Sequence, residues 1–161
     1  MVTAKSKKNA CDLLDADHKA VKKMFTDYEG LAEAGGNTKQ KKRALADKIC
    51  NELIVHMHIE EEIFYPAIRK PVKDEPLMNE AEVEHAGAKD LIAQIQDMNA
   101  SDPMFDAKVK VLGEYIDHHV KEERTEMFPK ARATKVDLVA LRDVLQMRKD
   151  ELMAELEEVA T

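Results

Sequence analysis

Two stretches decide how this chain reads: His56-Met-His-Ile-Glu60-Glu-Glu-Ile-Phe-Tyr-Pro66 and His119-Val-Lys-Glu-Glu123-Arg-Thr-Glu-Met-Phe-Pro129. In both, a glutamate follows the histidine by four residues, and proline follows it by ten with an aromatic residue just before. Residues four apart on an α-helix differ by about 40° in direction, so each His-x-x-x-Glu pair presents imidazole and carboxylate on one face, one turn apart. Each stretch is preceded by a lone histidine: His18 lies 38 residues before His56, and His85 lies 34 before His119. The chain therefore reads as two helical hairpins, each contributing one histidine and then one His-x-x-x-Glu pair.

The flanking residues keep the same period. Leu14, His18, Val21, Phe25 and Tyr28 step by three or four, as do Ile49, Leu53, His56, Glu60, Ile63 and Ala67. So do Met78, Ala81, His85, Ala88, Ile92 and Ile95, and Val109, Leu112, Ile116, His119, Glu123 and Met127. Each series is one face of a helix. Breaks fall at Gly35-Gly36-Asn37, at Pro71 to Pro76, at Asn99 to Pro103 and at Pro129 to Thr134. Asp102-Pro103 reads as the N-cap and first residue of the fourth helix.

These patterns predict an all-α fold: an up-down-up-down four-helix bundle over residues 10–132, after a basic N-terminal tail at 1–9 that carries Lys5, Lys7 and Lys8. A fifth segment within 135–161, helical from about Lys135 to Val159, carries Leu138, Leu141, Leu145, Leu152 and Val159. Arg148 and Glu155 interrupt its apolar seam. It reads as an additional amphipathic C-terminal helix packed on the bundle, with homodimer contact as the second choice.

Composition agrees. Hydrophobic residues are 44% and charged residues 35% of 161, enough for one core under a heavily charged surface. Few glycines, prolines and aromatics favour helix throughout. A net charge of −7 argues against nucleic acid as a main partner, because phosphate binding needs a basic face. No apolar run approaches the ~20 residues of a membrane span, and the N-terminus lacks a signal-type apolar stretch. The expectation is a cytoplasmic protein with no membrane partner. Cys11 and Cys50 lack metal-type spacing and read as free thiols in a reducing compartment.

The chemistry lies in the four interrupted stripes. A single histidine on an apolar face is ordinarily a satisfied core residue. Four such faces with two carboxylates in register are different, because Glu60 and Glu123 would each cost several kcal/mol to bury unpaired and no Lys or Arg shares their stripes. A cation resolves this. Mixed carboxylate and imidazole donors within a helix bundle suit iron or manganese better than structural zinc. On the fourth helix, alignment through Pro66 and Pro129 and the more apolar stripe select His119, with His118 and Glu122 as the flanking alternative. His58 points away from His56 and reads as surface. Glu61, Glu62, Glu122 and Glu126 read as a solvated acidic face, or alternatively as outer support or an entry path for cations. Tyr65 and Phe128 read as core, with Tyr65 also able to donate a hydrogen bond near the metals.

His18, His56-x-x-x-Glu60, His85 and His119-x-x-x-Glu123, with the Tyr-Pro and Phe-Pro that follow, resemble the hemerythrin-like cation-binding (HHE) domains over roughly residues 10–132. The resemblance implies a four-helix bundle holding a non-heme di-iron centre, two iron ions bridged by two carboxylates and an oxo or hydroxo group. It makes Glu60 and Glu123 the bridges and His18, His56, His85 and His119 the terminal ligands. Oxygen-carrying members have two histidines one turn apart on the third helix, where this chain has Ala81 and Lys89 around His85. They also have an aspartate five residues after the fourth-helix histidine, where this chain has Glu123 four residues on. Five ligands per iron then leave both irons an open position, unless Glu82 or His118 closes one. The expected function is binding or sensing of dioxygen, nitric oxide or peroxide. The alternatives are a peroxide-decomposing, catalase-like enzyme, and iron handling or sensing.

Overall fold

A computed structural model describes residues 8–160 of the chain, and it is all-helical. Residues 1–7 of the expected basic tail lie outside the described residues. Helix α1 (Ala10–Ala34) leads to α2 (Lys39–Ile59), which passes through a π-helical turn (Glu60–Phe64) into α3 (Tyr65–Val72). Helix α4 (Glu75–Asp97) follows, then α5 (Phe105–Glu122), a second π turn (Glu123–Met127) and α6 (Phe128–Arg132). Helix α7 (Leu138–Ala160) is last. Helix α1 packs on α2 and α5, and α4 packs on α5 and α2, which closes a four-helix ring. Helix α7 lies on the outside against α1 and α2.

Local chemistry sets the ends. The Asn9 side chain accepts from the N–H groups of Cys11 and Asp12, while Asp12 accepts from the Asn9 N–H, a reciprocal cap. Gly35 and Gly36, with φ of 66° and 72°, turn the chain after α1. The second break is narrower than expected. Helix α3 runs through Pro71 and stops at Lys73, whose φ of 57° is left-handed; Asp74 then caps α4 through the Leu77 N–H.

Two expected boundaries move. Helix α5 begins at Phe105 rather than Pro103, because Asp102 spends its side chain on the Met104 N–H inside a turn. Pro129 does not end a helix; it sits near the start of α6, where its missing N–H disrupts least. The π turns also shift the buried phase. After Glu60 the buried residues are Phe64, Tyr65 and Ile68, while Ile63 and Ala67 of the expected stripe are half-buried. One extra residue in the wide turn advances the inward face by one position.

In α7, Leu145 and Leu138 are buried and Leu141 and Leu152 half-buried, each full leucine burial being worth about 2 kcal/mol. Val159 departs from expectation: it is 85% exposed. Among the described residues no helix is long and apolar enough to cross a membrane.

Two apolar clusters fill the bundle. One gathers Leu14, Ile59, Phe64, Ile68, Met78 and Phe128; the other gathers Val21, Leu53, Ala88, Ile92, Leu112 and Ile116. Along every bundle helix the residues between the two clusters are the histidines and glutamates of the interrupted stripes. The fold thus sandwiches one polar layer between two dry ones.

Candidate metal centre

The polar layer holds His18, His56, Glu60, His85, His119 and Glu123, all buried, with both glutamates wholly inaccessible. The Nε2 atoms of His18 and His56 lie 3.1 Å apart, and those of His85 and His119 also lie 3.1 Å apart. Glu60 Oε1 stands 3.1 Å from His56 Nε2 and 3.3 Å from His85 Nε2. Glu123 Oε1 stands 2.8 Å from His119 Nε2 and 3.5 Å from His18 Nε2. Each carboxylate therefore reaches across from one histidine pair to the other. Despite this crowding, none of the four carboxylate oxygens receives a hydrogen bond of proper direction. Buried acceptors left this way are costly unless a cation meets them.

The donor set fits a metal pair. His18, His56, Glu60 and Glu123 offer atoms within 4.8 Å of one another, and Glu60, His85 and His119 do the same. Without a cation the imidazoles must carry the balancing charge. Burial pushes His56 down, but Glu60 and Asp17 more than reverse it, to about 10. Burial is likewise outweighed at His119 by Glu123 and Glu84, which bring it to about 11. Burial alone would raise the Glu60 carboxyl; adjoining His56 holds it well below the usual carboxylate range.

The outward nitrogens find carboxylates. His56 Nδ1 donates to Asp17 at 3.2 Å, His119 Nδ1 to Glu84 at 3.0 Å and His85 Nδ1 to Glu61 at 3.1 Å. These contacts fix the tautomer that turns Nε2 toward the centre. His18 differs: Asp15 is 3.7 Å from its Nδ1, which has no hydrogen bond. Asp15 instead pairs with Arg124. Tyr65 places its hydroxyl 3.3 Å from both His85 Nε2 and His119 Nε2 and stacks on His85, while Phe128 stacks on His18 with no polar group to offer.

The structure brings all six expected residues together and turns the flanking ones away. His118 is 66% exposed beside Glu122 and Glu84, and His58 is 46% exposed against Glu62. Glu82 pairs with Arg69 at the surface and closes no coordination position. The acidic face divides: Glu61 supports His85, whereas Glu62 and Glu126 are exposed. Sequence reasoning missed Asp17 and Glu84. A signal existed, since each immediately precedes the lone histidine of its hairpin (Asp17-His18, Glu84-His85) and each serves the histidine of the following long helix.

Glu60 and Glu123 each open a π turn, in which Tyr65 N–H reaches Glu60 C=O and Phe128 N–H reaches Glu123 C=O. The wide turn lets an aromatic five residues after the glutamate face inward too, and the next residue, proline, has no N–H to restore α-geometry.

Comparison with known proteins agrees with this geometry. The family model for the hemerythrin HHE cation-binding domain matches residues 9–131. A crystal structure of an HHE cation-binding domain-containing protein from Mycobacterium kansasii superposes with a TM-score of 0.77 at 23% identity, covering 96% of this chain and 93% of that one. A DNA nickase of Nostoc sp. is 29% identical over 124 residues, 77% of this chain. The match takes in 34% of that relative, so this chain corresponds to about a third of its length.

Proposed function

Since the chain belongs to the hemerythrin HHE cation-binding domain family, we propose that it holds two iron ions through His18, His56, Glu60, His85, His119 and Glu123 and uses them to bind or sense a small ligand such as dioxygen, nitric oxide or peroxide. The observation that carries this reading is the set of four unbonded carboxylate oxygens between two histidine pairs. When bound, the ions would supply redox and Lewis-acid chemistry. The chain's own residues do the rest. Glu60 and Glu123 span the two halves. Asp17, Glu84 and Glu61 hold protons on the Nδ1 atoms, and the apolar layers above and below exclude bulk water.

A second reading, peroxide decomposition, draws support from Tyr65. Its hydroxyl beside two Nε2 atoms is a buried proton donor within reach of the reacting centre. A reducing cytoplasm suits Cys11 and Cys50, whose thiols burial pushes up to about 11. Self-association through α7 would use its exposed Val144 and Met147. The nicking activity named for the cyanobacterial relative belongs to a protein about three times as long as the matched region.

The test is metal analysis of freshly isolated protein, then anaerobic reduction and optical spectra with oxygen, nitric oxide and peroxide in turn. About two irons per chain and a ligand-dependent spectrum are expected. One zinc and no iron would sink the proposal. Rapid peroxide turnover with oxygen release selects the enzyme.

A further inference from the structure

Across α4 and α5, on the outer side of His119, a second group of metal-type donors stands apart from the six central residues. Glu80 and Glu84 lie four residues apart on α4, and His118 and Glu122 lie four apart on α5. Each pair presents both donors on one face, and the two helices pack together. One ligand atom from each of the four lies within 4.8 Å of the others. Donors bound to one ion at about 2.1 Å stand at most about 4.2 Å apart, so small side-chain movements close the set. His118 Nε2 is 3.2 Å from Glu122 Oε1 and 3.5 Å from Glu84 Oε2.

Two observations separate this group from a solvated acidic patch. Glu84 is buried, only 9% exposed. Its Oε1 accepts from His119 Nδ1 at 3.0 Å, while its Oε2 turns toward the group, with the His118 imidazole as its ion-pair partner. Secondly, the other carboxylates that flank the centre each have a base: Lys149 at Asp17, Lys89 at Glu61 and Arg124 at Asp15. Among the described residues no lysine or arginine pairs with Glu80, Glu84 or Glu122. Three carboxylates gathered this way, one of them buried, favour a cation among them.

We propose that Glu80, Glu84, His118 and Glu122 form a second, exchangeable site for one divalent transition-metal ion, coupled to the centre through the Glu84 carboxylate. The imidazole favours a transition metal over magnesium or calcium. Glu80 and His118 are exposed, which leaves the ion open to water and to exchange. Glu84 holds the outer ion by Oε2 while Oε1 keeps His119, so a charge on one oxygen loosens the hold of the other on the imidazole. The coupling rests on the di-iron reading above; the site does not.

For the test, the full chain carrying its iron is dialysed against manganese(II), and both metals are counted. About one manganese per chain should bind while iron stays at about two. An excess of magnesium should not displace it. His118→Ala and Glu80→Gln should each weaken manganese binding about tenfold or more at unchanged iron content, a direct ligand mattering at least as much as an outer one. Glu126→Gln, which removes an exposed charge outside the group, should bind manganese as wild type does. The optical spectrum of the iron should shift with the same midpoint as manganese uptake. Wild-type binding in both His118→Ala and Glu80→Gln, or equal weakening in Glu126→Gln, overturns the site. An unmoved iron spectrum at full manganese occupancy overturns the coupling and leaves the site standing. Protein isolated without iron is a failure of the di-iron reading instead; manganese entering the centre is then lost in Glu60→Ala and kept in His118→Ala.

Discussion

His18 and His56 meet across α1 and α2 with ring centroids 4.7 Å apart and planes inclined at 62°; His85 and His119 meet across α4 and α5 at 4.7 Å and 59°. Around this near-duplicate interior, two of the matched positions at which the hairpins differ bear directly on the histidines. The residue after the buried glutamate is Glu61 in one hairpin and Arg124 in the other. Glu61 anchors His85, whereas Arg124 draws Asp15 away from His18. The aromatic before the proline is Tyr65 in one and Phe128 in the other, so a hydroxyl faces only the His85 side. The duplication supplies what can hold two cations, and two side-chain differences leave one side with both imidazoles anchored and a hydroxyl beside them, the other with His18 unanchored under an apolar ring.

The comparison breaks most completely at the carboxylates. Because each reaches both pairs, Glu60→Ala or Glu123→Ala should empty both sides, leaving well under one iron per chain against about two. His58→Ala, altering a half-exposed residue that faces Glu62, should keep its iron. Metal analysis decides. If Glu60→Ala loses only one ion, the carboxylate does not bridge and the halves are independent sites.

Removing metal should cost the whole bundle stability, because one layer ties all four helices. At about a thousandfold excess over the dissociation constant the loss is about 4 kcal/mol, or roughly 10 °C in melting temperature for a domain of this size. Scanning calorimetry of both forms tests this, and identical melting temperatures would contradict it.

A smaller effect sharpens the picture through pH. In the metal-free protein His56 and His119 titrate near 10 and 11, above an unfolded value of about 6.5. Their contribution to metal-free stability is complete below about 6.5 and is lost as pH rises through 10 to 11. Metal needs both rings neutral, so uptake at pH 7 should release about two protons, and affinity should climb with pH. An indicator titration in weak buffer reads the release directly. No released proton would mean the rings are neutral before metal arrives.

Much of this was legible in the sequence, for a physical reason. Burying Glu60 and Glu123 among apolar neighbours demands compensation, and helical period alone sets their direction. The inward choice of His119 over His118 followed from Leu112 and Ile116 needing cover. What escaped lies where period gives way to other forces. The π turns move the inward face from Ile63 to Phe64, a slip no 3.6-residue period contains. Asp17 and Glu84 lie off the apolar stripes, and their role emerges only once neighbouring helices are packed. The contrast between Glu61 and Arg124 is plain in the repeat, yet its consequence depends on Asp15, which the sequence does not show to be near.

The smallest expected effect tests whether α7 belongs to the centre. Lys149 on α7 stands 2.6 Å from Asp17, which accepts from His56; Lys89 on α4 stands 2.6 Å from Glu61, which accepts from His85. Both halves therefore carry a cation–carboxylate–imidazole chain, but the cations differ in setting. The Lys149–Asp17 side chains are 24% and 11% exposed, against 49% and 33% for Lys89–Glu61. Water screens the second pair more, so its cation matters less. Lys149→Met should leave Asp17 buried and uncompensated, weaken its hold on His56 and speed iron loss to a chelator. The expected change is about tenfold, the lower end for outer partners of a ligand, since lysine acts one contact further out. Lys89→Met should change the rate less. Equal rates for the two variants would mean that α7 merely covers the bundle, and a larger effect at Lys89 would make the His85 side the more weakly held.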